Sequence, residues 1–200
     1  RRPPRSTHFP YTTLFRSLRG VVQVDLMDAD TGLSEGAPVT LEETPGLATA
    51  PRVIYDAVAD AWFAVWRTRD ASSAPWYART ARVGLDAAAD SIARHPLSSA
   101  AVTDSGPAVC AAFAPQQTLA VWEGYDGEAR RLYLRRITPG GQFMAAPEAF
   151  PGSSVQRRDP DAAYSEDANE FLAVWRDGQP SSSRSYAMRI AGGTSDEDND

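Results

Sequence analysis

Three short runs dominate the hydrophobic pattern of the chain: Trp62-Phe63-Ala64-Val65-Trp66, Thr118-Leu119-Ala120-Val121-Trp122 and Phe171-Leu172-Ala173-Val174-Trp175. Each is apolar on both alternating faces, the pattern of a strand buried on both sides of its sheet. A shorter run precedes each, such as Val53-Ile54-Tyr55 or Ala162-Ala163-Tyr164, and a polar segment such as Ser165-Glu166-Asp167-Ala168-Asn169 separates the two. Those are hairpin signals. A third run, Leu132-Tyr133-Leu134-Arg135-Arg136-Ile137 or Ser185-Tyr186-Ala187-Met188-Arg189-Ile190, alternates toward polar and ends in Thr-Pro-Gly-Gly or Ala-Gly-Gly. A weaker fourth run follows, as in Phe143-Met144-Ala145-Ala146.

The runs recur in register. Pro51, Pro107 and Pro160 each stand fifteen positions before a Trp, namely Trp66, Trp122 and Trp175. Eleven positions after each Trp comes Tyr77, Tyr133 or Tyr186, and eighteen after it Gly84, Gly140 or Gly193. Successive Trp residues are 56 and then 53 positions apart, and the difference falls between the glycine and the next proline, where a loop tolerates insertion. Gly32 fits the same post-strand glycine of an earlier unit, which would place a Trp where Leu14 stands.

Four strands per repeat, with the second covered on both faces, predict an all-β fold of tandem β-propeller-like blades. An immunoglobulin-like sandwich needs about 100 residues per unit, and a β-helix uses much shorter coils. The expected divisions are a leader over 1–20, the second half of a blade over 21–50, blades over 51–106 and 107–159, an incomplete blade over 160–193 and an acidic tail over 194–200. Because a propeller takes about four to eight blades, the remaining partners of these sheets are expected to be further blades of the same protein.

The repeat resembles the tandem F-L-V-V-W repeats of large secreted or surface bacterial proteins, here as Phe171-Leu172-Ala173-Val174-Trp175. That resemblance, over about residues 50–193, implies an extracellular or cell-surface multi-blade protein whose motif is structural. The opening string RSTHFPYTTLFRS resembles translated sequencing-adapter read-through, which implies that residues up to about Ser17 have no biological role. An Arg-rich, acid-poor leader could otherwise be read as a transit-type segment.

Composition narrows the partners. A net charge of −6 argues against the basic stripe that supplies most affinity for nucleic acid. No stretch reaches the roughly 18–20 consecutive apolar residues of a membrane-spanning helix. The single cysteine, Cys110, lies in an apolar run and reads as a small buried side chain; a catalytic thiol would need a base, and His8 and His95 fall in unpatterned segments.

Candidate chemistry is sparse. In-register Trp and Tyr could stack on sugar rings, but residues repeated at one position usually sustain packing between repeats. Trp62 falls in the buried run, which leaves Trp76, beside Tyr77, as the candidate exposed aromatic. The pairs Arg130-Arg131, Arg135-Arg136 and Arg157-Arg158 could bind carboxylate or phosphate, and are expected to be solvated surface charges. A propeller glycosidase needs a catalytic carboxylate with a flanking partner and substrate-binding arginines. No such constellation assembles from the sequence, and Asp-box, kelch and Trp-Asp repeat signatures are missing. The turn Asp28-Ala29-Asp30-Thr31-Gly32, a weak quinoprotein-like feature, is adequately a hairpin.

In the tail, Asp196, Asp198 and Asp200 alternate as in the opening of a D-x-D-x-D-G calcium loop and resemble the start of thrombospondin type 3 repeats. The glycine and last acidic ligand of such a loop would lie beyond Asp200, so the site within these residues is incomplete, and a plain acidic tail is the competing reading. The expected function is a non-catalytic scaffold that binds protein or glycan, needs no cofactor beyond that possible calcium, and has as its alternative a fragment of a propeller-type carbohydrate-active enzyme.

Overall fold

The structure, a computed structural model, describes residues 20–24, 38–56, 61–71, 74–84, 93–97, 109–114, 116–125, 128–151, 157–178 and 182–192. These form thirteen strands in four antiparallel sheets. Sheet one pairs β1 (Val21–Val24) with β2 (Val39–Glu43). Sheet two is a meander of β3 (Leu47–Asp56), β4 (Ala61–Arg69), β5 (Tyr77–Gly84) and β6 (Ala93–Pro96). Sheet three repeats it with β7 (Val109–Ala114), β8 (Gln117–Tyr125), β9 (Arg130–Ile137) and β10 (Glu148–Ala149). Sheet four has three strands, β11 (Arg157–Ser165), β12 (Glu170–Asp177) and β13 (Arg184–Ala191). Among the described residues, no helix is long and apolar enough to cross a membrane.

The repeated proline has a local reason. Pro51 and Pro160 lie inside their first strands, where the ladder skips between Thr49 and Arg52 in β3 and between Arg158 and Asp161 in β11. Proline has no N–H to give to a ladder, so a bulge is where a strand tolerates it. Asp159, the residue before Pro160, takes a φ of 51° there. First strands therefore begin ahead of the proline, at Leu47 and Arg157.

The sheets stack face to face, and the in-register Trp of each second strand points to the sheet before it. Trp66 shares a core with Val22 and Leu41 of sheet one. Trp122 packs with Phe63 and Val65 of sheet two. Trp175 packs with Leu119, Val121 and Phe150 of sheet three. The alternate residues of the same strands face forward, so β4 and β8 are buried on both sides almost throughout. Tyr133 and Tyr186 pair directly with Trp122 and Trp175 and stack on them at 6.0 Å between ring centroids. The first strands β3, β7 and β11 run next to one another along the stack.

Sheet two departs from the sequence register. Trp66 pairs with Arg79, and Tyr77 with Thr68, a shift of two residues relative to the other sheets. An even shift leaves every side chain on its own face, so the core tolerates it. The fourth strand also differs from expectation. Phe143 makes only an isolated bridge to Ile137, and the fourth strand of sheet three lies further on, at Glu148–Ala149. Nor does the aligned Gly140 take the unusual backbone conformation; its neighbour Gly141 does, at φ 84°, as its N–H closes the turn onto the Thr138 carbonyl at 2.8 Å. Gly32, Pro107 and Gly193 lie outside the described residues.

If the Trp is the inter-sheet contact, its loss should cost what a large core truncation costs. Trp122→Ala is expected to destabilise by about 3–5 kcal/mol, whereas Met144→Ala, at a side chain 54% exposed, should stay within about 0.5 kcal/mol. Urea unfolding followed by circular dichroism checks both.

Candidate functional site

Ionisable side chains gather where the ends of the second strands meet the first strands of the next sheet. The residue after each in-register Trp is charged: Arg67, Glu123 and Arg176. Each shares its strand face with the forward-facing apolar residues two and four positions earlier. Arg67 and Glu123 are buried.

Glu123 is the centre of this seam. Its carboxylate accepts the backbone N–H of Asp159 at 2.8 Å, at the bulge of the following sheet. Burial pushes the Glu123 carboxyl above the ordinary carboxylate range, and the nearby Asp159 carboxylate adds to the rise. The Asp159 N–H and the Arg130 and Arg67 guanidiniums act the other way without reversing it. Asp159 in turn meets Arg176 at 3.5 Å, a half-exposed pair that contributes little stability. The seam thus joins sheets two, three and four through two adjacent carboxyl groups flanked by arginines.

Two of the arginine pairs, Arg135-Arg136 and Arg157-Arg158, are structural clamps rather than solvated surface charges, whereas Arg130 of the third pair is exposed. Arg135 donates to the main-chain carbonyls of Ala145 at 2.9 Å and of Pro96 and Leu97 at 3.3 Å, linking sheet three to the end of β6. Burial lowers its pKa, and its guanidinium lies 3.5 Å from the Phe143 ring centroid. Arg136 reaches the Ala191 carbonyl of sheet four at 2.8 Å and the Gln117 side chain at 2.7 Å. Buried Arg157 donates to the carbonyls of Phe150 and Pro151 at 3.1 and 2.7 Å, with Asp177 at 3.8 Å. Arg158 donates to the Gly178 carbonyl. A guanidinium presents several donors in a fixed fork, which suits the carbonyls left at sheet ends.

Trp76 is half-buried, not an open platform. The guanidiniums of Arg67 and Arg69 lie 4.5 and 4.6 Å from its ring centroid, so the chain itself supplies cations to that ring. Trp62 is buried against Tyr55, 4.7 Å between ring centroids. His95 belongs to β6, opposite Thr80, and Cys110 to β7, opposite Val121. His8 and the alternating Asp196, Asp198 and Asp200 lie outside the described residues. Among the described residues no group of three or more His, Cys, Asp or Glu gathers to hold a metal.

Glu123 had no distinguishing sequence signal beyond following an in-register Trp. Its partner is a backbone N–H in another repeat, which side-chain spacing cannot reveal.

No family model matches this chain. No curated protein matches it either. Among solved structures it is similar to the catalytic domain of a GH62 α-L-arabinofuranosidase from Coprinopsis cinerea, at 13% identity and a TM-score of 0.43. The likeness covers 94% of this chain and 66% of that domain, so the chain spans just under two thirds of its length.

The raised pKa of Glu123 has a signed consequence. The folded chain holds this proton more tightly than the unfolded chain, so the group's contribution is fully present below the ordinary glutamate pKa and is lost as pH rises through the elevated folded value. Glu123→Gln keeps an acceptor for the Asp159 N–H and removes the titration. The difference in melting temperature between variant and parent, followed by circular dichroism from acid to neutral pH, should therefore grow in the variant's favour across that window. A flat difference would mean that Glu123 does not titrate abnormally.

Proposed function

We propose that the chain is a run of β-propeller blades acting as a non-catalytic scaffold of a secreted or cell-surface bacterial protein, which binds a protein or a glycan through loops at one end of its sheets. The observation that carries this reading is the stacking order: each Trp seats on the preceding sheet, and the first strands β3, β7 and β11 run side by side. Sheets arranged about a common axis by their first strands are how blades meet in a propeller. The ionisable groups of the seam and clamps support a structural role, since Glu123, Arg135, Arg136 and Arg157 are engaged by main-chain groups at sheet ends. Secretion and bacterial origin rest on the resemblance of the repeat to F-L-V-V-W arrays.

One observation favours the enzyme alternative. A buried carboxyl whose pKa is raised by burial, beside a second carboxylate and three arginines, has the elements of a general acid at a glycosidic bond. A fluorescently labelled chain applied to a glycan array, together with turnover of a panel of aryl glycosides, separates the readings. The scaffold predicts glycan or protein binding that persists in Glu123→Gln, and aryl glycoside turnover equal in parent and variant. Turnover abolished by Glu123→Gln and by Asp159→Asn would replace the scaffold with a carbohydrate-active enzyme.

A further inference from the structure

Sheet four presents a face that its counterparts never leave open. In sheet two, Phe63 and Val65 point forward and are 1% and 0% exposed, covered by Ala120 and Trp122 of sheet three. In sheet three, Leu119 and Val121 occupy the same positions, are both 0% exposed, and are covered by Ala173 and Trp175 of sheet four. Leu172 and Val174 are the same positions again, yet are 45% and 38% exposed.

An arginine recurs beside the apolar positions. The residue paired with the first of these forward positions is an arginine in every sheet: Arg82 opposite Phe63, Arg136 opposite Leu119 and Arg189 opposite Leu172. Arg136 grips the carbonyl of Ala191, where the third strand of the following sheet ends. The aliphatic stem of Arg82 passes beside Gly141, just past the end of the third strand of its own following sheet. Among the described residues no sheet follows Arg189, which pairs with Glu170 of its own sheet at 2.5 Å, with 73% of its side chain exposed.

From these two series we infer that the forward face of sheet four is a docking surface for one further sheet of the same repeat, whose second strand seats an Ala-x-Trp row on Leu172 and Val174 and whose third strand ends on Arg189. This rests on the blade reading above and names the contact that extends it. Leu172 and Val174 keep the large apolar side chains of a covered position, although strand alternation would allow polar residues on a solvated face. A second copy of this chain is a poorer occupant, because its first described sheet consists of β1 and β2 and lacks the Trp-bearing strand.

The test places a second copy of residues 107–159, which carries one Trp-bearing second strand and no second copy of Leu172 or Val174, after Gly193 of the full chain and reads hydroxyl-radical footprinting at Leu172 and Val174 by mass spectrometry. The expected result is a fall in their oxidation to the level of Leu119 and Val121 in the parent chain, which reverts when the appended copy's counterpart of Trp122 is changed to Ala. Sedimentation velocity on the parent chain accompanies it. Unchanged oxidation in the extended chain, protection that survives the Trp change, or protection in the parent that rises with its own self-association would each overturn the proposal. Glycan binding is a separate readout, so failure of the docking surface and failure of the scaffold are distinguishable.

Discussion

A second strand that must be covered on both faces is the constraint from which the rest of this structure follows. A lone antiparallel sheet can leave one face to water, but β4 and β8 carry large apolar side chains up and down, and no single sheet can bury both. The chain meets the demand by placing a sheet on each side. Trp supplies the backward contact because it covers more area than any other side chain, and the β-branched and aliphatic residues between fill the forward one. Stability in such a stack passes only between neighbours, as in other repeat architectures.

That dependence is visible when one sequence pattern meets two environments. The runs Leu119-Ala120-Val121-Trp122 and Leu172-Ala173-Val174-Trp175 are identical at all four positions, yet the first is buried throughout and the second alternates buried and exposed. Intrinsic strand preference is the same in both. What differs is the layer in front, which agrees with the view that strand propensity mainly measures packing against neighbours.

The polar contacts follow from the same stacking. Sheet ends leave carbonyls and bulge N–H groups that water reaches poorly once a neighbour is in place, and leaving them unmet costs more than an average hydrogen bond provides. Arginine meets the carbonyls, and Glu123 meets the bulge N–H. Burying Glu123 is unfavourable by itself, as its raised pKa records, and the flanking guanidiniums of Arg67 and Arg130 offset part of that cost. Such a group specifies how one sheet sits on the next more than it stabilises the stack.

How much of this was legible in the sequence divides along one line. Contacts made by a residue type repeated in register were readable: the doubly buried second strand, the packing role of Trp66, Trp122 and Trp175, and the hairpin before β12. Contacts made by main-chain groups, or at positions that slip, were not. Aligning the repeats by residue number sets Arg136 and Arg189 beside Thr80, fourteen positions after Trp66. The two-residue shift of β5 instead brings Arg82 opposite Phe63, so the recurring arginine appears only once strand pairing is known. The pairs Arg135-Arg136 and Arg157-Arg158 misled for the same reason: each of these arginines reaches a carbonyl, which every residue carries and no sequence pattern marks. Because an even slip preserves the face of every side chain, selection for a buried core leaves such slips unpunished. Polar partners then track the pairing actually formed, and the apolar pattern reports only which face each residue takes.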